Sequence, residues 1–125
     1  MRPRILIVED DRVTRKNLSV LLSDEGYDVA EATDGLQALE ILDRREFDLV
    51  LSDVVMPGLD GLKLLQWVKS SLPQTPVVIM TSYVSSSLAS TPAGAAELIR
   101  KPVLIDELLA KLERTLRSSA DGQRH

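Results

Sequence analysis

The sequence predicts an α/β fold, a doubly wound five-stranded parallel sheet in the order 2-1-3-4-5, and three observations carry that expectation. Short β-type runs alternate with helical periodicity five times along the chain. Three of the runs, Ile5-Leu6-Ile7-Val8, Leu49-Val50-Leu51 and Val77-Val78-Ile79-Met80, are continuously apolar, as central strands covered by helices on both faces must be. The other two, Tyr27-Asp28-Val29-Ala30-Glu31 and Glu97-Leu98-Ile99-Arg100, carry charges that suit edges. With the second and fifth strands outside and right-handed crossovers, the winding direction reverses between strands 1 and 3.

The helices follow in order. Asp10 or Asp11 can cap the first, whose Leu18, Leu21 and Leu22 share a face. Thr33 or Asp34 can cap the second, which turns Ala38, Leu39 and Leu42 inward. Asp60 caps the third, where Leu64, Leu65, Val68 and Leu72 recur at helical spacing until Pro73 and Pro76 bar further helix. The fourth is weak: Tyr83 to Gly94 is rich in serine and interrupted by Pro92, which predicts a short or frayed element. The last carries the best stripe, Ile105, Leu108, Leu109, Leu112 and Leu116. Together these elements make one folded unit over residues 1–117, followed by a polar tail, 118–125.

Composition narrows the function classes. With no cysteine, neither a disulfide framework nor a thiolate metal site can form, and the expected compartment is the cytoplasm. The apolar run Ile5 to Val8 is too short for a signal peptide or a membrane span. A net charge of −4, with both signs mixed along the chain, provides no basic stripe for nucleic acid. Aromatic residues are only 3% of the chain, so the core must be aliphatic.

In such a sheet, ligands collect at the carboxyl ends of the strands near the switch point. The residues there are Glu9 and Asp10, Asp53, Thr81 with Ser82, and Lys101. Two like charges about 4 Å apart repel by roughly 4 kcal/mol at an effective dielectric of 20, so three clustered carboxylates call for a cation. Oxygen ligands alone, with the sole histidine at His125, favour a hard ion such as Mg2+ over zinc. A carboxylate can also act as a nucleophile toward a phosphoryl group if the incoming charge is neutralised. Lys101 supplies a compact positive charge for that task, and Thr81 a hydroxyl donor.

Taken in order, Ile5-Leu6-Ile7-Val8-Glu9-Asp10-Asp11, Ser52-Asp53-Val54-Val55-Met56-Pro57-Gly58-Leu59-Asp60-Gly61, Met80-Thr81-Ser82 and Lys101-Pro102 resemble the signature segments of response-regulator receiver domains, over about Arg4 to Leu116. The resemblance implies the flavodoxin-like (βα)5 receiver fold and a phosphoacceptor role in a two-component phosphorelay. By it, Asp53 is the phosphorylation site; Asp10 and Asp53 are direct metal ligands, Glu9 a ligand through water, and the carbonyl of Val55 the remaining protein ligand. Thr81 is the switch hydroxyl, Lys101 the phosphate partner, and the peptide before Pro102 is cis. A histidine kinase or histidine phosphotransfer protein is the implied donor. A homodimer through the fourth helix, fifth strand and fifth helix is the implied assembly.

Departures from the pattern concern output. Leu98 stands at the switch position three before the lysine, which is usually aromatic in this family, and Val103 stands where phenylalanine is common. These departures and the poor fourth helix leave room for a receiver that binds partners without phosphorylation. A haloacid-dehalogenase-like Mg2+ phosphotransferase would need an acid pair one residue apart with its nucleophile after strand 1, whereas Glu9 comes first here. Flavin binding is disfavoured because acids, instead of a Ser, Thr or Gly phosphate loop, follow strand 1. Taken singly, Asp11, Asp60 and Gly61 read as caps and turn, Thr81 as a turn residue, Lys101 as a solvated charge, and Trp67 and Lys69 as helix surface or partial packing.

Overall fold

The continuous apolar runs form the middle of the sheet. In the computed structural model, which describes residues 2–54, 60–81 and 91–122 with side chains to 119, the elements run β1 (Arg4–Val8), α1 (Arg12–Asp24), β2 (Asp28–Ala32), α2 (Gly35–Arg44), β3 (Leu49–Asp53), α3 (Gly61–Ser71), β4 (Val77–Thr81), β5 (Glu97–Arg100) and α4 (Ile105–Gly122). The strands pair in parallel in the order β2-β1-β3-β4-β5, as the patterning predicts. All of β3 and β4 is buried, while β2 and β5 each keep a residue in solvent.

Alternation along each strand divides the core in two. Leu6, Val8, Val50, Val77 and Ile79 meet Ala38 and Leu42 of α2 and Leu64, Leu65 and Val68 of α3 on one face. Ile5, Ile7, Leu49, Leu51, Val78, Met80 and Ile99 meet Leu18 and Leu22 of α1 and Leu108 and Leu112 of α4 on the other. Each of the valine, leucine, isoleucine and methionine side chains among them, where fully buried, is worth about 1.5–3 kcal/mol against exposure. Trp67 packs partly buried against the α2/α3 core.

The caps resolve the open alternatives. Asp11 caps α1, accepting from the Thr14 amide at 2.9 Å. Asp34 caps α2, accepting from Gln37 at 2.8 Å, and Asp60 caps α3, accepting from Lys63 at 2.9 Å. Helix α1 closes on Gly26, whose φ of 96° lies in the left-handed region that glycine reaches without strain.

Two expectations shift in α4. Ile105 does not join the buried stripe and is 53% exposed. It opens the helix beyond the carboxyl ends of the strands, so the covered stripe starts at Leu108. Thr115 takes a buried place on that stripe, and the helix runs on to Gly122. The fourth helix expected within Tyr83 to Gly94 falls largely on residues 82–90, outside the described residues; Pro92 to Ala95 forms a turn, with the Ala95 amide donating to the Pro92 carbonyl at 3.0 Å. Among the described residues no helix is long and apolar enough to cross a membrane.

Candidate functional site

Parallel register brings the strand ends to one rim. Val8 lies opposite Ser52, so one step further Glu9 reaches the level of Asp53. Asp53 pairs with Met80 and Thr81 with Arg100, which leaves Thr81 and Lys101 at the same rim. The side chains converge as the sequence predicts: carboxylate oxygens of Glu9, Asp10 and Asp53 lie within 4.8 Å of one another. Glu9, Asp53 and Thr81 are buried, and Asp10 is exposed.

Lys101 bridges the two buried acids. Its Nζ donates to Glu9 Oε1 at 2.7 Å and to Asp53 Oδ2 at 3.2 Å. The Asp11 amide donates to the other Glu9 oxygen at 3.2 Å. Burial pushes the Glu9 carboxyl above its usual range; Lys101 and the Asp11 amide oppose that rise, and the Asp53 charge adds to it. Burial pulls the Lys101 ammonium down, but the bond to Glu9 and the charges of Asp53 and Glu9 outweigh it and hold the lysine above its usual value. The two partners thus move in opposite energetic senses. The reason is their exposure, 1% for the Glu9 side chain against 21% for Lys101, so desolvation decides at the carboxylate and attraction at the ammonium.

Three carboxylates against one ammonium leave a net charge of −2 when all are ionised, the complement of a divalent cation. The donors are all oxygen, which suits a hard ion.

The backbone behind Asp53 is packed as closely as its side chain. Gly61 opens α3, and its amide donates to the Val54 carbonyl at 2.9 Å. A Cβ on Gly61 would stand 2.1 Å from the Asp53 carbonyl oxygen. Only glycine lets the helix start there. The buried Ser52 hydroxyl donates to the same Asp53 carbonyl at 2.9 Å.

Val55 lies outside the described residues, as does Ser82. Leu98 is buried in the core under α2 and α3, and its carbonyl accepts from Lys111 Nζ at 2.8 Å. The Lys101–Pro102 peptide is cis. Sequence reasoning missed Arg15, which is buried and donates from Nη1 to the Glu9 carbonyl at 2.9 Å. The signal was there, since Arg15 stands three and seven residues before Leu18 and Leu22 on the buried stripe of α1.

The sequence and the fold both have known likenesses. The family model described as the response regulator receiver domain matches residues 5–113. The response regulator MprA of Mycobacterium sp. strain KMS is 38% identical over 125 residues, covering 98% of this chain and 54% of its own. The chain thus spans about half the length of the curated relatives it matches. A CheY-like response regulator receiver domain protein of Methanospirillum hungatei JF-1 superposes with a TM-score of 0.91 at 31% identity, covering 98% of this chain and 99% of that one. The signal receiver domain of an HD domain-containing protein from Pseudomonas fluorescens Pf-5 gives 0.90 at 32% identity, with 97% and 99% covered. With this sheet order, this rim of acids around Lys101 and these likenesses, the chain belongs to the response regulator receiver domain family.

Proposed function

We propose that Asp53 is the phosphoacceptor of a two-component phosphorelay and takes its phosphoryl group from a phosphohistidine donor. The observation that carries this reading is the Lys101 ammonium shared between Glu9 and Asp53 beside an exposed Asp10. A carboxylate oxygen of Asp53 attacks phosphorus. The new O–P bond forms as the N–P bond of the phosphoimidazole breaks, and the imidazole nitrogen keeps the electron pair. Lys101 steadies the phosphoryl oxygens by charge, and the Thr81 hydroxyl donates to one of them. Glu9, Asp10 and Asp53, with the carbonyl of Val55, are the residues to hold Mg2+. When bound, the ion supplies charge neutralisation for the transferring group. Nothing in this chemistry calls for a turnover enzyme: the chain promotes its own phosphorylation and dephosphorylation.

The donor in this reading is a histidine kinase or a histidine phosphotransfer protein, and the setting is the cytoplasm. The receiver unit is residues 1–117, with 118–125 as a polar extension. A homodimer would use the fourth-helix segment expected within Tyr83 to Gly94 together with β5 and the last helix, α4, where Arg114 pairs with Glu97 and Lys111 with Glu107. A second reading, an interaction module indifferent to phosphorylation, draws on Leu98, an aliphatic residue buried at the switch position. Partner binding unchanged by Asp53→Asn would favour it.

Intact-mass analysis after acetyl phosphate and Mg2+ tests the main reading. The wild type should gain one phosphoryl group and Asp53→Asn none. Equal labelling of the two would overturn the assignment.

A further inference from the structure

We propose that Arg15 is a positioning residue for the carboxylate cluster, holding the peptide that joins Glu9 to Asp10. Its guanidinium spans two acceptors, one just past the end of β1 and one on β2: Nη1 donates to the Glu9 carbonyl at 2.9 Å and Nε to Glu31 Oε1 at 3.1 Å. Glu31 is itself held from the other side by Lys16, whose Nζ lies 3.2 Å from Oε2. The β1–β3 register ends at Val8 opposite Ser52, so the Glu9 carbonyl stands beyond that ladder and takes its donor from a side chain.

That carbonyl belongs to the planar unit carrying the Cα atoms of Glu9 and Asp10. Fixing its plane fixes the relative positions of the two Cα atoms from which both acids leave the backbone. The Arg15 contact with Glu9 is to that backbone carbonyl, not to the carboxylate. Its role is therefore geometric.

A buried guanidinium is costly unless every partner is in place, and an apolar residue would continue the Leu18 and Leu22 stripe more cheaply. What arginine adds is a rigid fork that reaches both acceptors, which a lysine cannot reproduce. The inference rests on the phosphoacceptor reading through the cation-holding role given to Glu9 and Asp10.

The test uses the full chain and two readouts: Mn2+ affinity by paramagnetic resonance titration, and the 13C chemical shift of the Glu9 carbonyl without metal. Arg15→Met should weaken Mn2+ binding about tenfold, the low end for residues that orient metal ligands, and shift the Glu9 carbonyl signal. Arg15→Lys should show a smaller loss of the same kind. Lys16→Met, which removes a contact to Glu31 and leaves the Arg15 bond to the Glu9 carbonyl in place, should bind Mn2+ like the wild type. Loss of stability in Arg15→Met with wild-type affinity and carbonyl shift would overturn the proposal and leave Arg15 a packing residue. Should Arg15→Met fail to fold, unchanged values in Arg15→Lys overturn it equally. A wild type that binds no Mn2+ overturns the phosphoacceptor reading and this one together, whereas binding unaffected by either Arg15 variant overturns this one alone.

Discussion

The two ends of the sheet carry the same chemistry at different depths. At the amino ends of the strands, Arg4 reaches Asp28 at 3.6 Å with both side chains half exposed, beside an open depression of about 930 Å3 lined by Pro3, Phe47 and Asp48. At the carboxyl ends, Lys101 holds Glu9 at 2.7 Å with the acid only 1% exposed. Between them lies Glu31, its side chain 24% exposed and held by both Arg15 and Lys16. The residue types scarcely differ, so burial and the excess of acids over cations at the carboxyl ends separate a solvated surface pair from a charge cluster that could hold a cation.

The sharpest way to break this contrast is to disturb the backbone that supports the buried end. Gly61→Ala should cost about 3 kcal/mol in urea unfolding, at the top of the usual range for overpacking, and lower phosphorylation of Asp53. A loss under about 1 kcal/mol would show that the α3 start yields freely. Next, Lys101→Met should destabilise the metal-free protein by about 2 kcal/mol; the cost of breaking a buried pair is discounted here because the lysine is partly exposed. Added Mg2+ should recover part of that loss, because the variant site is more negative by one charge. No recovery would argue against a cation among these acids.

Glu31 supplies the intermediate case. Burial raises its pKa, but the bonds from Lys16 and Ser19 and the Lys16 charge outweigh that, and Arg15 adds to them, so the carboxyl sits below its usual 4.5. The unfolded chain therefore binds the proton more readily than the native one. The stabilisation from Glu31 is fully present above pH 4.5 and fades as pH falls through the lower native value. Glu31→Gln should remove that acid-side slope and cost about 1 kcal/mol at neutral pH, at the upper limit for a pair this open. At the solvated end, Arg4→Ala should change stability by no more than about 0.5 kcal/mol, and added salt should erase the difference. A larger effect there would dissolve the comparison.

Most of the fold and the acid cluster was legible because both rest on one-dimensional patterns. Continuous apolar strands ending in acids, threonine and lysine dictate a rim, and parallel register brings the rim together. Arg15 escaped because a cation on an apolar stripe reads as a boundary residue until its two acceptors, Glu31 on β2 and the Glu9 carbonyl past the end of β1, are seen. Ile105 was misplaced for the opposite reason: helical spacing locates a stripe but not where the sheet beneath it stops. Gly61 read as a turn because spacing cannot report what a missing Cβ would strike.

That missing Cβ has an optical consequence. Gly61 seats the first turn of α3 against the Asp53 carbonyl, and Trp67, the only tryptophan in the chain, stands six residues along the same helix, about 9 Å up its axis. Trp67 packs partly buried against the α2/α3 core, so its emission reports on the packing of the helix that Gly61 seats. The protein thus carries its own fluorophore on the helix whose first turn rests on the Asp53 carbonyl.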